Sequence, residues 1–504
     1  MIDKNAAWRA LKSHDRRFDG VFFVGVISTG IYCRPVCPAK TPLPENCLFF
    51  TRPEAAEKAL FRPCLRCRPE LAPGNAPIDN AHRIADLLLQ RIDEGLEEEN
   101  NSLEQVAARF SISSRQLRRI IKEELGVSPF ELRQTRRLLL AKQLLTETTL
   151  SVTDIAFASG FSSVRRFNDV FSQQYRMSPS RLRKEIQVDR PLTLQAETST
   201  LQLSYRPPYD WEAMLEFLSL RAIKEIELVD ATSYSRTLRL GEATGWIRVT
   251  HAPQKNALMV EFTHSLTSAL PAMLQRLRHV FDLSARPDLI SAHLQQDPLL
   301  SESLIKNPGL RVPGAVDGFE MTIRAILGQQ ITVKAATTLA GRFAEAFGEK
   351  IVTPFPELSR LSPLPSHVAE ASIDEIARLG IVSRRATCIH EIARACHSGE
   401  LWLASGTDPE KTIRQLIMLP GIGQWTAHYI AMRALRWPDA FPRDDIVIRN
   451  NLGGISAKQA EKVSLSWSPW RSYAVMHIWK NLSKRSSTAL PETIQAVPVQ
   501  KVQN

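Results

Sequence analysis

Residues 416–450, LIMLPGIGQWTAHYIAMRALRWPDAFPRDDIVIRN, decide the fold of the C-terminal half. Apolar spacing up to Leu419 predicts the end of one helix, Pro420-Gly421-Ile422-Gly423 reads as a tight turn, and a second helix is predicted from about Gln424. Glycines at 421 and 423 let the backbone approach another molecule closely, because neither carries a Cβ. The second helix starts there, so its unpaired amides and positive dipole end point beyond the turn, where a phosphate suits both. Further on, Asp444 and Asp445 stand between Pro442 and an apolar run. Taken alone, such a hairpin is an ordinary helical connection and the acidic pair a solvated loop. Together, at this spacing, they argue for a site.

The whole chain supports a nucleic-acid partner. Its 504 residues suggest about three to five domains. A hydrophobic content of 44% is that of a folded protein, while a net charge of +11 and a pI near 9.4 suit a polyanion. No apolar run is long enough to cross a bilayer, and MIDKNAAWRALK lacks a signal-peptide core, so a cytoplasmic, nucleoid-associated protein with no membrane partner is expected. Looser segments at 72–80 and 189–199 divide the chain into domains at 1–75, 78–188, 200–287 and 288–488, with a tail at 489–504.

Of seven cysteines, five lie between residues 33 and 67. The pairs Cys33-Arg-Pro-Val-Cys37 and Cys64-Leu-Arg-Cys67 have the spacing of a tetrahedral zinc site, structural or reactive. Cys47, followed by Leu48-Phe49-Phe50, reads as a small core residue. The flanking FFVGVISTGIYCRPVC and FRPCLRC resemble the zinc domain of the Ada adaptive-response proteins. That resemblance implies Zn²⁺ on Cys33, Cys37, Cys64 and Cys67, with Cys33 accepting a methyl group from a DNA methylphosphotriester. It also implies phosphate contacts at Thr29, Lys40 and Arg62, Lys40 standing where the family has arginine.

Two tandem units follow. Residues 103–109 and 113–124 read as helix, turn, helix, with Ser113 as cap and Arg118 and Arg119 on the polar face. A second unit runs from the helix at 152–158 through Gly160 to a helix from about Ser163, with Arg165 and Arg166 exposed. The pair resembles the double helix-turn-helix of AraC-type regulators, each recognition helix entering a major groove. The resemblance implies a transcription activator working with RNA polymerase.

After residue 200, short alternating runs at 236–241 and 246–251, with helical patterns at 211–222 and 268–281, predict a small antiparallel sheet with helices on one face. The hairpin followed by Asp445-Ile446-Val447-Ile448-Arg449 resembles the helix–hairpin–helix DNA glycosylases. YRPPYDW, LRVPGAVDGFE, AILGQQIT and PWRSYAVMHIW narrow this to the AlkA family of 3-methyladenine DNA glycosylases. The expected fold class is therefore multidomain: a small α/β four-cysteine zinc domain, an all-α double helix-turn-helix, an α+β small-sheet domain and an all-α helix–hairpin–helix domain.

The AlkA resemblance makes Asp445 the catalytic residue and Trp425, Tyr429 and Trp479 the base pocket. Their faces suit cationic alkylated bases. Gly421 and Gly423 become the DNA phosphate contact, and Gln329, Gln330 or Ile331 the plug for the gap left by an extruded nucleotide. Trp425 occupies the place of the Schiff-base lysine of bifunctional relatives, which implies base excision from double-stranded DNA without strand cleavage. Cys388 and Cys396 fall on a helix near 384–397 and read as buried and inert. The competing reading is a regulator whose glycosylase half binds DNA without turnover.

Overall fold

The computed structural model describes residues 3–73, 104, 107, 113–186, 197–404 and 407–486. Near the N-terminus, β1 (Phe23–Val26), β2 (Ile31–Cys33), β3 (Cys47–Phe50) and β4 (Arg62–Pro63) form a sheet in the order β3-β1-β2-β4. Phe22, Val24 and Cys47 bury against Ala7 and Leu11 of the helix Lys4–Lys12, and Phe23, Tyr32 and Phe61 form a second small cluster. β2 and β4 run parallel, with Ile31 opposite Arg62 and Tyr32 opposite Pro63. That register carries Cys33 and Cys64 to the same end of the sheet.

In the next region, the predicted helix at 103–109 and its turn at Ser111 lie outside the described residues, apart from helical Glu104 and Ala107. The helix Ser114–Leu125 starts on a reciprocal Ser113–Gln116 capping box and ends at Gly126, whose φ is +71°. In the second unit, Val152–Ala158 and Val164–Tyr175 flank Gly160, at φ +82°, and Ser163 caps the second helix.

Between the units runs a connecting helix, Pro129–Glu147, which buries Lys142, Gln143 and Thr146 as well as Leu138, Leu144 and Leu145. Polar residues sink there because each meets a partner on another domain. Lys142 Nζ reaches Glu70 at 2.6 Å and donates to the Cys64 carbonyl at 3.2 Å. Arg136 pairs with Glu54 at 2.7 Å and Thr135 donates to Glu57 at 2.8 Å. At the far end, Gln143 donates to the Gln202 carbonyl and the Gln202 amide donates to Glu147, both at 2.9 Å. One helix thus touches the cysteine domain along its length and the second sheet at its C-terminal end, where Glu147 also pairs with Arg68 at 2.9 Å.

That second sheet is antiparallel throughout, in the order β5-β9-β8-β7-β6, from β5 (Thr198–Ser204), β6 (Glu227–Val229), β7 (Ser233–Leu240), β8 (Ala243–Ala252) and β9 (Ala257–Thr263). β5 begins inside the segment read as a link, because Thr198 already pairs with Thr263. Leu201, Ile247 and Phe262 share a core with the helices Trp211–Ser219 and Leu270–Val280, and with Leu138, Phe167 and Leu182 of the helix-turn-helix region. The sheet is not one-faced as expected. Its other side is covered by the C-terminal domain: Trp246 meets Phe355 edge-on at 4.9 Å, and Thr237 donates to the Arg360 carbonyl at 2.5 Å.

The remaining chain is helical around a core that includes Phe319, Ile389, Leu416, Ile430 and Ala474. Cys388 is buried within it on the helix Ser383–His397, and burial pushes its thiol up to about 11. Buried Arg206 ties this half to the N-terminal domain, donating to the Asp19 carbonyl at 3.0 Å and the Ser284 carbonyl at 2.8 Å. The tail at 489–504 lies outside the described residues, and among those described no helix is long and apolar enough to cross a membrane.

Candidate functional site

The hairpin forms between the helices Pro409–Met418 and Gln424–Arg433. Gly421 has φ +92°, and a Cβ there would sit 3.2 Å from Cys388 Cβ, so glycine is needed for conformation and for packing. Gly423 differs: nothing lies within 4 Å of where its Cβ would be. As N-cap it offers no side chain, leaving the first-turn amides for an outside acceptor. Gln329 braces the turn from behind, its amide donating to the Gly421 carbonyl and Thr426 Oγ1 at 3.0 Å each. Its side chain is therefore engaged inward. Gln330, exposed and at φ +55°, forms the tip beside half-buried Ile331.

Asp445 caps the short helix Ile446–Asn451, Oδ1 accepting from the Ile448 amide at 3.0 Å. Trp425 Nε1 donates to Oδ2 at 2.8 Å and Trp479 Nε1 donates to Oδ1 at 3.4 Å. The carboxylate is 8% exposed and held by three N–H groups from three helices, whereas Asp444 is exposed with Arg443 at 3.9 Å. Trp425 and Tyr429 stack at 5.1 Å and 14°, and Trp479 meets Tyr429 edge-on at 6.1 Å. The three predicted pocket aromatics and Asp445 thus form one cluster, with Ile446 beside it and 61% exposed. Phe217, Arg221 and Arg433 complete the floor and carried no local signal in the sequence. The Arg221 guanidinium lies 3.8 Å and that of Arg433 4.8 Å from the Phe217 ring centre.

The sulfurs of Cys33, Cys37, Cys64 and Cys67 lie within 4.8 Å of one another, and all four residues are buried. Tetrahedral zinc–sulfur bonds of about 2.3 Å set sulfurs about 3.8 Å apart, so this donor set fits zinc. Bare sulfurs this close resist sharing charge: contact with Cys37 pushes the Cys33 thiol up, while contact with Cys33 holds Cys37 down to about 7. A divalent cation removes that conflict. Cys47 stands outside the cluster, donating to the Leu43 carbonyl at 3.3 Å. Arg34 braces the site through Asp19 at 2.8 Å and the Cys67 carbonyl at 3.0 Å.

Cys33, Cys37 and Cys64 line a cavity of about 370 Å³, and so do Thr29, Lys40 and Arg62. Three cysteines and all three expected phosphate contacts meet in one space. Tyr175 and Met177 of the second helix-turn-helix unit form part of its wall, which spacing along the chain could not reveal. Arg118, Arg119, Arg165 and Arg166 are exposed on their helices, the first two with Glu104 at 3.8 Å and Glu123 at 3.9 Å.

A cysteine-cluster domain, a helix-turn-helix region and a glycosylase fold define a DNA-binding repair and regulatory protein. Residues 6–70 match the family described as the metal binding domain of Ada, 106–185 a helix-turn-helix domain, 200–317 the AlkA N-terminal domain, and 323–470 the HhH-GPD superfamily of base excision DNA repair proteins. The "Probable bifunctional transcriptional activator/DNA repair enzyme AlkA" of Mycobacterium tuberculosis is 35% identical over 487 residues, 95% of this chain and 97% of that one. The chain belongs to that family of bifunctional activator and repair proteins. DNA-3-methyladenine glycosylase 2 of Escherichia coli is 35% identical over 277 residues, covering 55% of this chain and 95% of that protein. The 3-methyladenine DNA glycosylase structure from Archaeoglobus fulgidus shares the fold, with a TM-score of 0.50 and 20% identity over 57% of this chain and 99% of that one.

Proposed function

We propose that this protein excises alkylated bases of the 3-methyladenine type from double-stranded DNA, and that its N-terminal half senses methylphosphotriesters and activates transcription. The observation that carries the first part is the Asp445 carboxylate, held by the indole N–H groups of Trp425 and Trp479 beside the Tyr429 ring. Three donors on one carboxylate fix its direction. An extruded base stacks among the aromatics, with its sugar carbon facing Asp445. That charge then stabilises positive charge developing on the sugar, orients the attacking water, or does both. Trp425 in place of a lysine makes the enzyme monofunctional. Gln330 is the plug, since Gln329 already braces the hairpin. Incubation of the full chain with methylated duplex DNA should release free 3-methyladenine and leave intact abasic strands; binding without release would leave a regulator with an inert second half.

In the N-terminal half, Cys33, Cys37, Cys64 and Cys67 hold zinc, which when bound keeps the sulfurs as thiolates. The Cys33 thiolate attacks the methyl carbon of a phosphotriester lodged against Thr29, Lys40 and Arg62. A sulfur–carbon bond forms as the carbon–oxygen bond breaks, and the phosphate leaves as an ordinary diester. Methylation removes one negative charge facing DNA, worth about 2 kcal/mol at about 8 Å and an effective dielectric near 20. Operator affinity should therefore rise by about tenfold or more, less at high salt. RNA polymerase is the partner of the operator-bound activator. Mass spectrometry should find one added methyl on Cys33; unchanged operator affinity after that would limit Cys33 to repair.

A further inference from the structure

The base pocket of a glycosylase that takes cationic bases should be electron-rich, yet the side chains behind Tyr429 are cationic. Arg221 follows the helix Trp211–Ser219, Arg324 lies on Gly318–Leu327, Arg433 closes the helix that carries Tyr429, and Arg236 projects from β7. Four guanidinium groups meet only two carboxylates among the described residues lining this small cleft, Glu227 and Glu320. Both are committed: Glu320 pairs with Arg236 at 2.7 Å, and Glu227 lies 3.5 Å from Arg324 while accepting from Tyr234 at 2.5 Å. Arg433 has no carboxylate within ion-pair distance among the described residues. It donates to the Pro313 and Gly314 carbonyls at 2.8 and 3.1 Å, and its remaining nitrogen donates to the Tyr429 hydroxyl at 2.9 Å. Arg221 donates to the Phe217 carbonyl at 3.2 Å and lies over the Phe217 ring. On the other side of Tyr429 stand Trp425, Trp479 and, behind their indoles, Asp445.

We propose that Arg433, with Arg221 and Arg324 around it, makes Tyr429 the group that sets the charge of the base pocket, the phenolate selecting positively charged alkylated bases over uncharged ones. With Tyr429 neutral, two guanidinium charges on the floor stay unbalanced and oppose a cationic base. With Tyr429 ionised, the floor is nearer balance and the ring stacked on Trp425 carries the negative charge. Burial resists that ionisation, but the neighbouring Arg433, Arg221 and Arg324 outweigh it and bring the hydroxyl down to about 8. Tyr429 acts as a specificity-determining residue, and Arg221 and Arg433 as positioning residues acting through it.

This inference rests on the glycosylase reading, and its test separates the two. The full chain is assayed from about pH 7 to pH 9 on two duplexes, one holding 3-methyladenine, a fixed cation, and one holding uncharged O2-methylthymine. The ratio of the two rates cancels pH effects common to both substrates, such as those on DNA binding. It should rise about tenfold through a midpoint near 8, whereas in Tyr429→Phe, whatever its overall rates, the ratio should stay flat with pH. Arg221→Met should move the midpoint upward. Independently, the wild-type minus Tyr429→Phe ultraviolet difference spectrum should titrate as a tyrosinate with that same midpoint. A flat wild-type ratio with both bases released, an unchanged rise in Tyr429→Phe, or a tyrosinate appearing only near the ordinary phenol value would each overturn the proposal. Release of neither base would remove the glycosylase reading and this inference with it.

Discussion

At the scale of single residues, the adjacent carboxylates Asp444 and Asp445 have opposite environments. Asp445 accepts hydrogen bonds from Trp425, Trp479 and the Ile448 amide, while Asp444 faces solvent. Asp445→Asn keeps the shape and removes the charge, so excision should fall about a thousandfold, or about 4 kcal/mol of barrier, with binding to damaged DNA retained. Asp444→Asn should stay within about tenfold of wild type. Single-turnover base release checks both, and an inactive Asp444→Asn beside an active Asp445→Asn would shift the assignment by one residue.

Elements show why two glycines in one hairpin are not equivalent. Gly421→Ala forces a side chain into left-handed backbone at φ +92° and against Cys388, which should cost about 1–2 kcal/mol and lower the melting temperature. Gly423→Ala meets open space, so stability should hold while affinity for duplex DNA falls, the new methyl standing where a phosphate approaches. Equal effects in melting and binding titrations would refute that division. The contact between the first sheet and the connecting helix carries its own pH dependence. Burial pushes the Glu57 carboxyl, between Tyr32 and Thr135, up to about 8 from 4.5. A carboxyl raised on folding contributes stability that is full below its unfolded value and is lost as pH rises through about 8. Glu57→Gln should therefore flatten the fall in melting temperature between about pH 5 and 9, and an identical slope would remove Glu57 as its source.

Across the whole molecule, the connecting helix Pro129–Glu147 joins the regulatory half to the catalytic half. Lys142 and Glu70, each with a side chain 1% exposed, bind one another while Lys142 also touches a cysteine-site carbonyl. Removing Lys142 leaves buried Glu70 with half of its pairing, Arg68 at 3.0 Å, so Lys142→Met should destabilise the chain by about 2 kcal/mol. Adding Glu70→Leu should restore part of that loss in denaturant melts. A Lys142→Met protein as stable as wild type would mean that the cysteine domain does not depend on this contact.

The sequence by itself determined the parts whose chemistry is local. Cysteine spacing, the serine cap before Ser114, and Pro-Gly-x-Gly at a helix start are short-range instructions, and each formed as read. Asp445 and the three aromatics were legible through a motif, since their spacing along the chain carries the match. Only the tertiary structure decided that Gln329 turns inward, that the second sheet is covered on both faces, and that a helix-turn-helix residue walls the cysteine cavity. It also decided the arginine floor beneath Tyr429, drawn from two sheet-domain segments and two helices of the glycosylase domain. The reason is physical: burying a charged or amide side chain is tolerable only beside its partner, and here those partners lie on distant segments or other domains, where no periodicity can register them.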